Sequence, residues 1–188
     1  LIEEARNRTT ELGLTAKLEL RVADAYCLPF GDGAFAAAHC ERVLMHLEDP
    51  TAALREMARV VRPGGTVVAA EPDWLGIRVD HPDRDAFNLV YVRALRHRQP
   101  EIGLTLRRRM VDVGLRDVVP MSVPVMVDHI KVLRMYGLNL EAAVDALVAE
   151  GAMDAVRLQA VVPALEEASS TGRYYGAGWF HVLGGVVP

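Results

Sequence analysis

Several things are scarce in this chain, and each shortage excludes a class of protein. Of its 188 residues only two are cysteine, Cys27 and Cys40. Two thiols cannot build a disulfide framework and fit no zinc spacing, so reduced thiols and a cytoplasmic setting are expected. No stretch approaches the ~20 unbroken apolar residues of a membrane span, and the first residues carry no signal-peptide pattern. Charge of neither sign dominates: the net charge is −4, which leaves no electrostatic footprint for nucleic acid. The densest basic run, Arg107-Arg108-Arg109, reads as a solvated helix face. Internal repeats, low-complexity linkers, metal-ligand spacing and a Ser-His-Asp arrangement are all missing. What is present is 51% apolar and 24% charged residues, enough for one domain with a sizeable core.

The residues "LIEEARNRTTELGL" predict a helix over roughly 1–12 with Gly13 as its stop. No cap residue precedes Leu1, so the chain reads as beginning mid-element. In "KLELRVADA", Leu18, Leu20 and Val22 alternate with polar residues, which predicts a strand over 18–23. "PFGDGAF" is turn chemistry, and "AFAAAHC" predicts a short buried strand. "DPTAALREMARVVR" is a helix with Asp49 or Thr51 as cap, Pro50 in its first turn, and Ala53, Leu54, Met57, Val60 and Val61 as its apolar stripe. "PGG" ends it and "TVVAAEP" is a further buried strand. Strand–strand–helix–strand with apolar strands predicts an α/β fold, a parallel sheet covered by helices.

Beyond residue 75 the pattern turns helical. Segments 76–115 and 127–172 are expected to form helices over the sheet's carboxyl edge, with two helices divided near Gly151 in the second. Segments 116–126 and 173–188 are expected to be the closing strands; Pro120 and Pro124 forbid a central, fully paired position to the first.

In open α/β sheets ligands bind beyond the carboxyl ends of the strands. Three such ends are Ala23-Asp24-Ala25, Cys40-Glu41-Arg42 and Glu71-Pro72-Asp73-Trp74. A carboxylate at Asp24 can accept from an exocyclic amine while the Ala25 amide donates to a ring nitrogen, with Leu28 and Phe30 as an apolar slot. The same residues also read as a turn-capping Asp and plain core. Arg42 can pair with a carboxylate or with Glu41 or Glu48 on the surface. His46 has the pKa range of a general base, and Glu71 and Asp73 can orient an acceptor or take its proton. Trp74, Phe87, Tyr91 and Met110 read either as a pocket lining or as core. His39 reads as a buried, hydrogen-bonded histidine, and Arg96, His97 and Arg98 as solvated. Tyr174, Tyr175 and Trp179 read as packing in the last sheet pair.

"VADAYCLPFGDGAF" followed by "ERVLMHLEDPTAALREMARVVRPGGTVVAAEPDW" resembles the second half of a class I S-adenosylmethionine-dependent methyltransferase, in the branch of the ubiquinone and menaquinone biosynthesis enzymes. The acidic-plus-small pair of that family matches Asp24-Ala25, its "LPF" matches Leu28-Pro29-Phe30, and its helix ending matches Arg59 to Gly65. The resemblance implies a Rossmann-like sheet, mostly parallel with an antiparallel last strand. It implies S-adenosylmethionine bound through Asp24, Ala25, Leu28, Cys40, Glu41 and Arg42, with His46, Glu71 and Asp73 in catalysis and Trp74, Phe87, Tyr91 and Met110 around the acceptor. The reaction it implies is methylation at O, C or N of a small apolar or aromatic acceptor, without a metal or nucleic acid; homodimerisation stays open. The family's glycine-rich loop and ribose-holding acid do not occur here and would precede Leu1. The 188 residues are therefore expected to be an incomplete enzyme, with roughly 60 residues (two βα units) supplied upstream or by another chain. A non-catalytic scaffold of the same fold is the alternative. A nicotinamide-dependent dehydrogenase would need a glycine fingerprint and a Tyr-x-x-x-Lys pair, and the chain has neither.

Overall fold

The computed structural model describes residues 2–188, so Leu1, where the first expected helix begins, lies outside the described residues. Helix α1, Ile2–Glu11, ends at Gly13 with φ 65°, a left-handed turn that glycine enters without steric penalty. The next secondary element is strand β1, Phe35–Glu41. Residues 18–23 are not a strand; they run irregularly, with Leu18 49% and Val22 79% exposed. Among the described residues no neighbouring strand lies beside them to complete a ladder, and alternation alone cannot hold an isolated strand in water.

After β1 comes a single 3-10 turn, Leu44–His46, and then helix α2, Pro50–Val60. The Asp49 side chain caps α2 by accepting from the Ala52 amide at 3.0 Å, which satisfies one of the donors that a helix start leaves orphaned. Its stripe, Ala53, Leu54, Met57, Val60 and the following Val61, is buried throughout.

Strand β2, Val61–Val79, is much longer than the expected segment around 65–71. Its pairing with β1 slips between Phe35↔Val61 and Ala37↔Thr66, so residues 62–65 bulge out of the ladder. Glycine is required there: a Cβ at Gly65 would stand 2.5 Å from the Ala36 carbonyl oxygen.

Helices α3, Arg84–Ala94, and α4, Ile102–Asp112, follow, then strand β3, Arg116–Val127. Helices α5, Ile130–Met135, α6, Leu140–Ala149, α7, Ala155–Gln159, and α8, Val161–Ser170, precede strand β4, Gly176–Val186. The helical stretch after α6 divides once more than expected. Pro163 has no N–H to return to the Gln159 carbonyl, so α7 and α8 meet at Ala160 instead of forming one rod.

The sheet order is β1-β2-β4-β3. β1 runs parallel to β2, and β4 runs antiparallel to both β2 and β3. Three strands therefore point one way and β4 the other, the mixed, mostly parallel arrangement the sequence implied. Pro120 and Pro124 sit on β3, an edge strand, where one side has no ladder to fill. Helices α2 and α4 pack on the sheet, and α4 approaches it closely. A Cβ at Gly103 would lie 2.9 Å from the carbonyl oxygens of Glu71 and Pro72. Helices α3 and α5 to α8 pack largely on one another beyond β2 and β3. His39 is exposed, because β1 is the other edge of the sheet and is itself mostly exposed. Tyr174 is buried, but Tyr175 and Trp179 are 56% and 49% exposed. Among the described residues no helix is long and apolar enough to cross a membrane.

Candidate functional site

The carboxyl tip of β1 and the middle of β2 lie side by side, since Glu41 pairs with Ala70. The residues that follow open a crevice. One cavity of about 250 Å³ is lined by Arg42, Pro72, Trp74, Leu133, Tyr136 and Phe180, among others. A second, of about 560 Å³, shares Glu41, Arg42, Trp74 and Tyr136 with it and adds Met45, His46 and His97. The walls are mostly apolar and aromatic, with a few polar groups at the tip of β1, the usual make-up of a small-molecule site.

The aromatic wall is a connected stack. His97 lies over Trp74 with ring centroids 4.5 Å apart and planes 23° from parallel. His46 meets His97 edge-on at 5.4 Å, and Tyr136 meets Trp74 edge-on at 5.1 Å. Such offset and edge contacts are the favoured aromatic geometries. Trp74 is only 2% exposed, and all its polar groups are engaged. Its indole N–H donates to Met45 Sδ at 3.2 Å, its amide to the Pro100 carbonyl at 2.9 Å, and its own carbonyl accepts from the Tyr91 hydroxyl at 2.7 Å. Partial burial, with His46 nearby, holds the His97 pKa below the usual imidazole value.

Of the residues singled out in the sequence, Glu41, Arg42, His46 and Trp74 come together at this crevice. Arg42 forms an exposed ion pair with Glu41 at 3.1 Å. Phe87, Tyr91 and Met110 line neither cavity. They are buried in the core, Phe87 and Tyr91 stacked on each other and Met110 on the buried side of α4. A helical stripe shows that one side is covered but not whether protein or ligand covers it.

Glu71 and Asp73 line neither cavity either. Glu71 is fully buried, and its Oε1 accepts from the amides of Val43 at 2.9 Å and Leu44 at 2.6 Å. Asp73 is 8% exposed, with Oδ1 buried and without a partner. Direct contact of these carboxylates with an acceptor is thus not what the fold provides, because both are buried and the Val43 and Leu44 amides engage Glu71. Cys40 is half-buried against the core. Burial, together with the Glu71 charge, pushes its thiol pKa up to about 12, so it is a neutral thiol at ordinary pH.

The loop holding Asp24, Ala25 and Leu28 stands apart from both cavities, and it is firmly held. Asp24 Oδ1 accepts from the Tyr26 amide at 2.9 Å, a local turn. The Tyr26 hydroxyl accepts from the amides of Glu48 at 2.9 Å and Asp49 at 3.1 Å, at the start of α2. Arg59 donates to the carbonyls of Leu28 and Phe30 and to Glu56, and Glu56 in turn accepts from the Leu28 amide. With Arg59 and the Leu28 amide donating to it, the Glu56 carboxyl has its pKa lowered to about 2. Asp24 itself is exposed, Ala25 is half-buried, and among the described residues the Ala25 amide has no hydrogen-bond partner. An acceptor carboxylate beside a free amide donor suits the edge of an adenine ring. His97, expected to be solvated, is instead half-buried against Trp74 because the α3–α4 loop folds onto the wall; Tyr136, Met45 and Tyr26 were not foreseen. An aromatic or histidine in each loop was the only signal, and nothing local indicates that these loops meet.

Comparison with known proteins fits this geometry. Residues 1–69 match a methyltransferase domain family. A protein in a transposon of Streptomyces fradiae, uncharacterized, is 38% identical over 128 residues, 66% of this chain and 35% of its own length. An uncharacterized methyltransferase of Schizosaccharomyces pombe is 37% identical over 95 residues, 49% of this chain and 34% of its own length. The chain thus spans about a third of the length of these curated relatives. Among solved structures, the YcgJ protein of Bacillus subtilis superposes with a TM-score of 0.64 at 19% identity, covering 98% of this chain and 77% of that one. Residues 1–69 thus resemble a methyltransferase domain, and the chain shares the fold of the solved YcgJ structure.

Proposed function

We propose that the crevice is the acceptor side of an S-adenosylmethionine-dependent methyltransferase whose acceptor is a small apolar or aromatic molecule, methylated at O, C or N. The observation that supports it most is the aromatic wall of Trp74, His97, His46 and Tyr136 beside Arg42 at the strand tips. Asp24 and the Ala25 amide hold the adenine of the methyl donor, and Arg42 pairs with a carboxylate. When bound, S-adenosylmethionine supplies an electrophilic methyl on a good, neutral leaving group. The chain's own residues then have three tasks. The aromatic wall orients a flat acceptor, the helical roof excludes water, and the His46 ring takes a proton where the acceptor is a hydroxyl or phenol.

Calorimetric titration of the complete protein with S-adenosylmethionine and its demethylated product tests this reading. Binding of both is expected, and Asp24→Ala weakens it by about 1–3 kcal/mol by leaving a donor unpaired. Binding of neither ligand overturns the proposal, and unchanged affinity in Asp24→Ala overturns the adenine assignment.

A further inference from the structure

The segment between β1 and α2 makes an abrupt turn whose later amides, of His46 and Leu47, bond back to Val43 and Leu44 but whose first amides find no partner within it. Arg42 has φ 54°, a left-handed conformation that side chains other than glycine seldom adopt. The 3-10 turn that follows has no side-chain cap from its preceding residue, Val43. Three successive amides need partners here, and all find them on β2. The Arg42 amide donates to the Ala70 carbonyl at 2.9 Å, continuing the parallel ladder. The Val43 and Leu44 amides both donate to Glu71 Oε1, at 2.9 and 2.6 Å. A carboxylate without water is costly to bury, yet Glu71 is fully covered, and its Oε2 is buried without a partner.

We propose that Glu71 is a positioning residue: its buried carboxyl group grips the Val43 and Leu44 amides and thereby fixes the turn that presents Arg42 and His46 to the crevice. The consequence reaches the aromatic wall through Met45. Its sulfur accepts from the Trp74 indole N–H at 3.2 Å, and its carbonyl accepts from the Gln99 amide at 3.1 Å, two residues beyond His97. Releasing the turn therefore moves His46 and loosens the stack over Trp74 together. The catalytic consequence rests on the proposed methyltransferase reading, but the positioning itself does not.

The test uses the wild-type protein, Glu71→Gln and Glu71→Leu, the last two checked for folding by circular dichroism. In the wild type the Val43 and Leu44 amides should exchange with solvent at least ~100-fold slower than an open loop; unprotected exchange overturns the proposal without any variant. In Glu71→Leu the ring protons of His46 and the indole N–H of Trp74 should shift in the NMR spectrum. In Glu71→Gln, which keeps one acceptor oxygen, they should stay near their wild-type positions. Unmoved resonances in Glu71→Leu overturn it. With an acceptor in hand, Glu71→Leu should lower kcat by about 10–100-fold, with a smaller change in the affinity for S-adenosylmethionine, and Glu71→Gln should recover most of the loss. A protein that binds no S-adenosylmethionine refutes the methyltransferase reading, while the exchange and NMR results still decide the role of Glu71.

Discussion

Between Leu12 and Ala34 the chain has no helix and no ladder strand, and none of its residues is a buried apolar one; from Leu44 to Leu183 the buried apolar residues, Val60 and Ala70 aside, form one continuous cluster. The two regions are held by different forces. The later one relies on apolar area removed from water, spread over β2, β4 and the helices above them. The earlier one relies on a few directed hydrogen bonds, chiefly from Arg59, Glu56 and the Tyr26 hydroxyl. Non-directional burial makes a structure that fails as a whole. Directed polar anchors make one that opens locally while the rest persists.

The largest effect that can break this contrast lies in the core. Leu106 on α4 is fully buried, so Leu106→Ala should destabilise the protein by about 2–5 kcal/mol in urea unfolding; a loss below half of that would mean that the cluster is not continuous. Next is the approach of α4 to the sheet. Gly103→Ala places a Cβ 2.8 Å from the His181 ring and 2.9 Å from two backbone carbonyls, and overpacking of this kind costs about 1–3 kcal/mol. If stability is unchanged, α4 sits further from β2 than described.

A smaller effect depends on pH. The Cys40 thiol has its pKa raised from 9.0 to about 12, so the unfolded chain loses this proton first. The stabilisation is complete below pH 9 and is lost as the pH rises through about 12. A stability profile of Cys40→Ala should therefore fall less steeply than wild type over that alkaline range, and parallel profiles would refute the assignment. The smallest global effect is expected in the earlier region. Arg59→Ala should leave the unfolding midpoint nearly unchanged but speed hydrogen exchange at the Leu28 amide, which relies on Glu56 as held by Arg59. A fall in the midpoint comparable to Leu106→Ala would erase the distinction between the two regions.

Legibility in the sequence followed the same division. Helix α2 could be read from its Asp49 cap, Pro50 and apolar stripe, because each of those signals acts within one turn. The edge position of β3 could be read from Pro120 and Pro124, since a missing N–H excludes a central place whatever the neighbours are. The strand expected at 18–23 was read from alternation, which reports a face preference and says nothing about a partner. Phe87, Tyr91 and Met110 illustrate the same limit for helices. For the site, the strand tips at Arg42 and Trp74 were foreseeable from sheet logic. The stack of His97 and Tyr136 on Trp74 was not, because it joins the α3–α4 loop and the end of α5 to β2, segments that meet only in the folded chain.

Trp74 has a practical consequence. Its ring is enclosed, its indole proton is held by a sulfur, and an imidazole lies flat against it. The other tryptophan, Trp179, is half open to water. The protein therefore has a built-in fluorophore beside the crevice, and with Trp179 replaced, its emission would report arrivals at that wall without any added label.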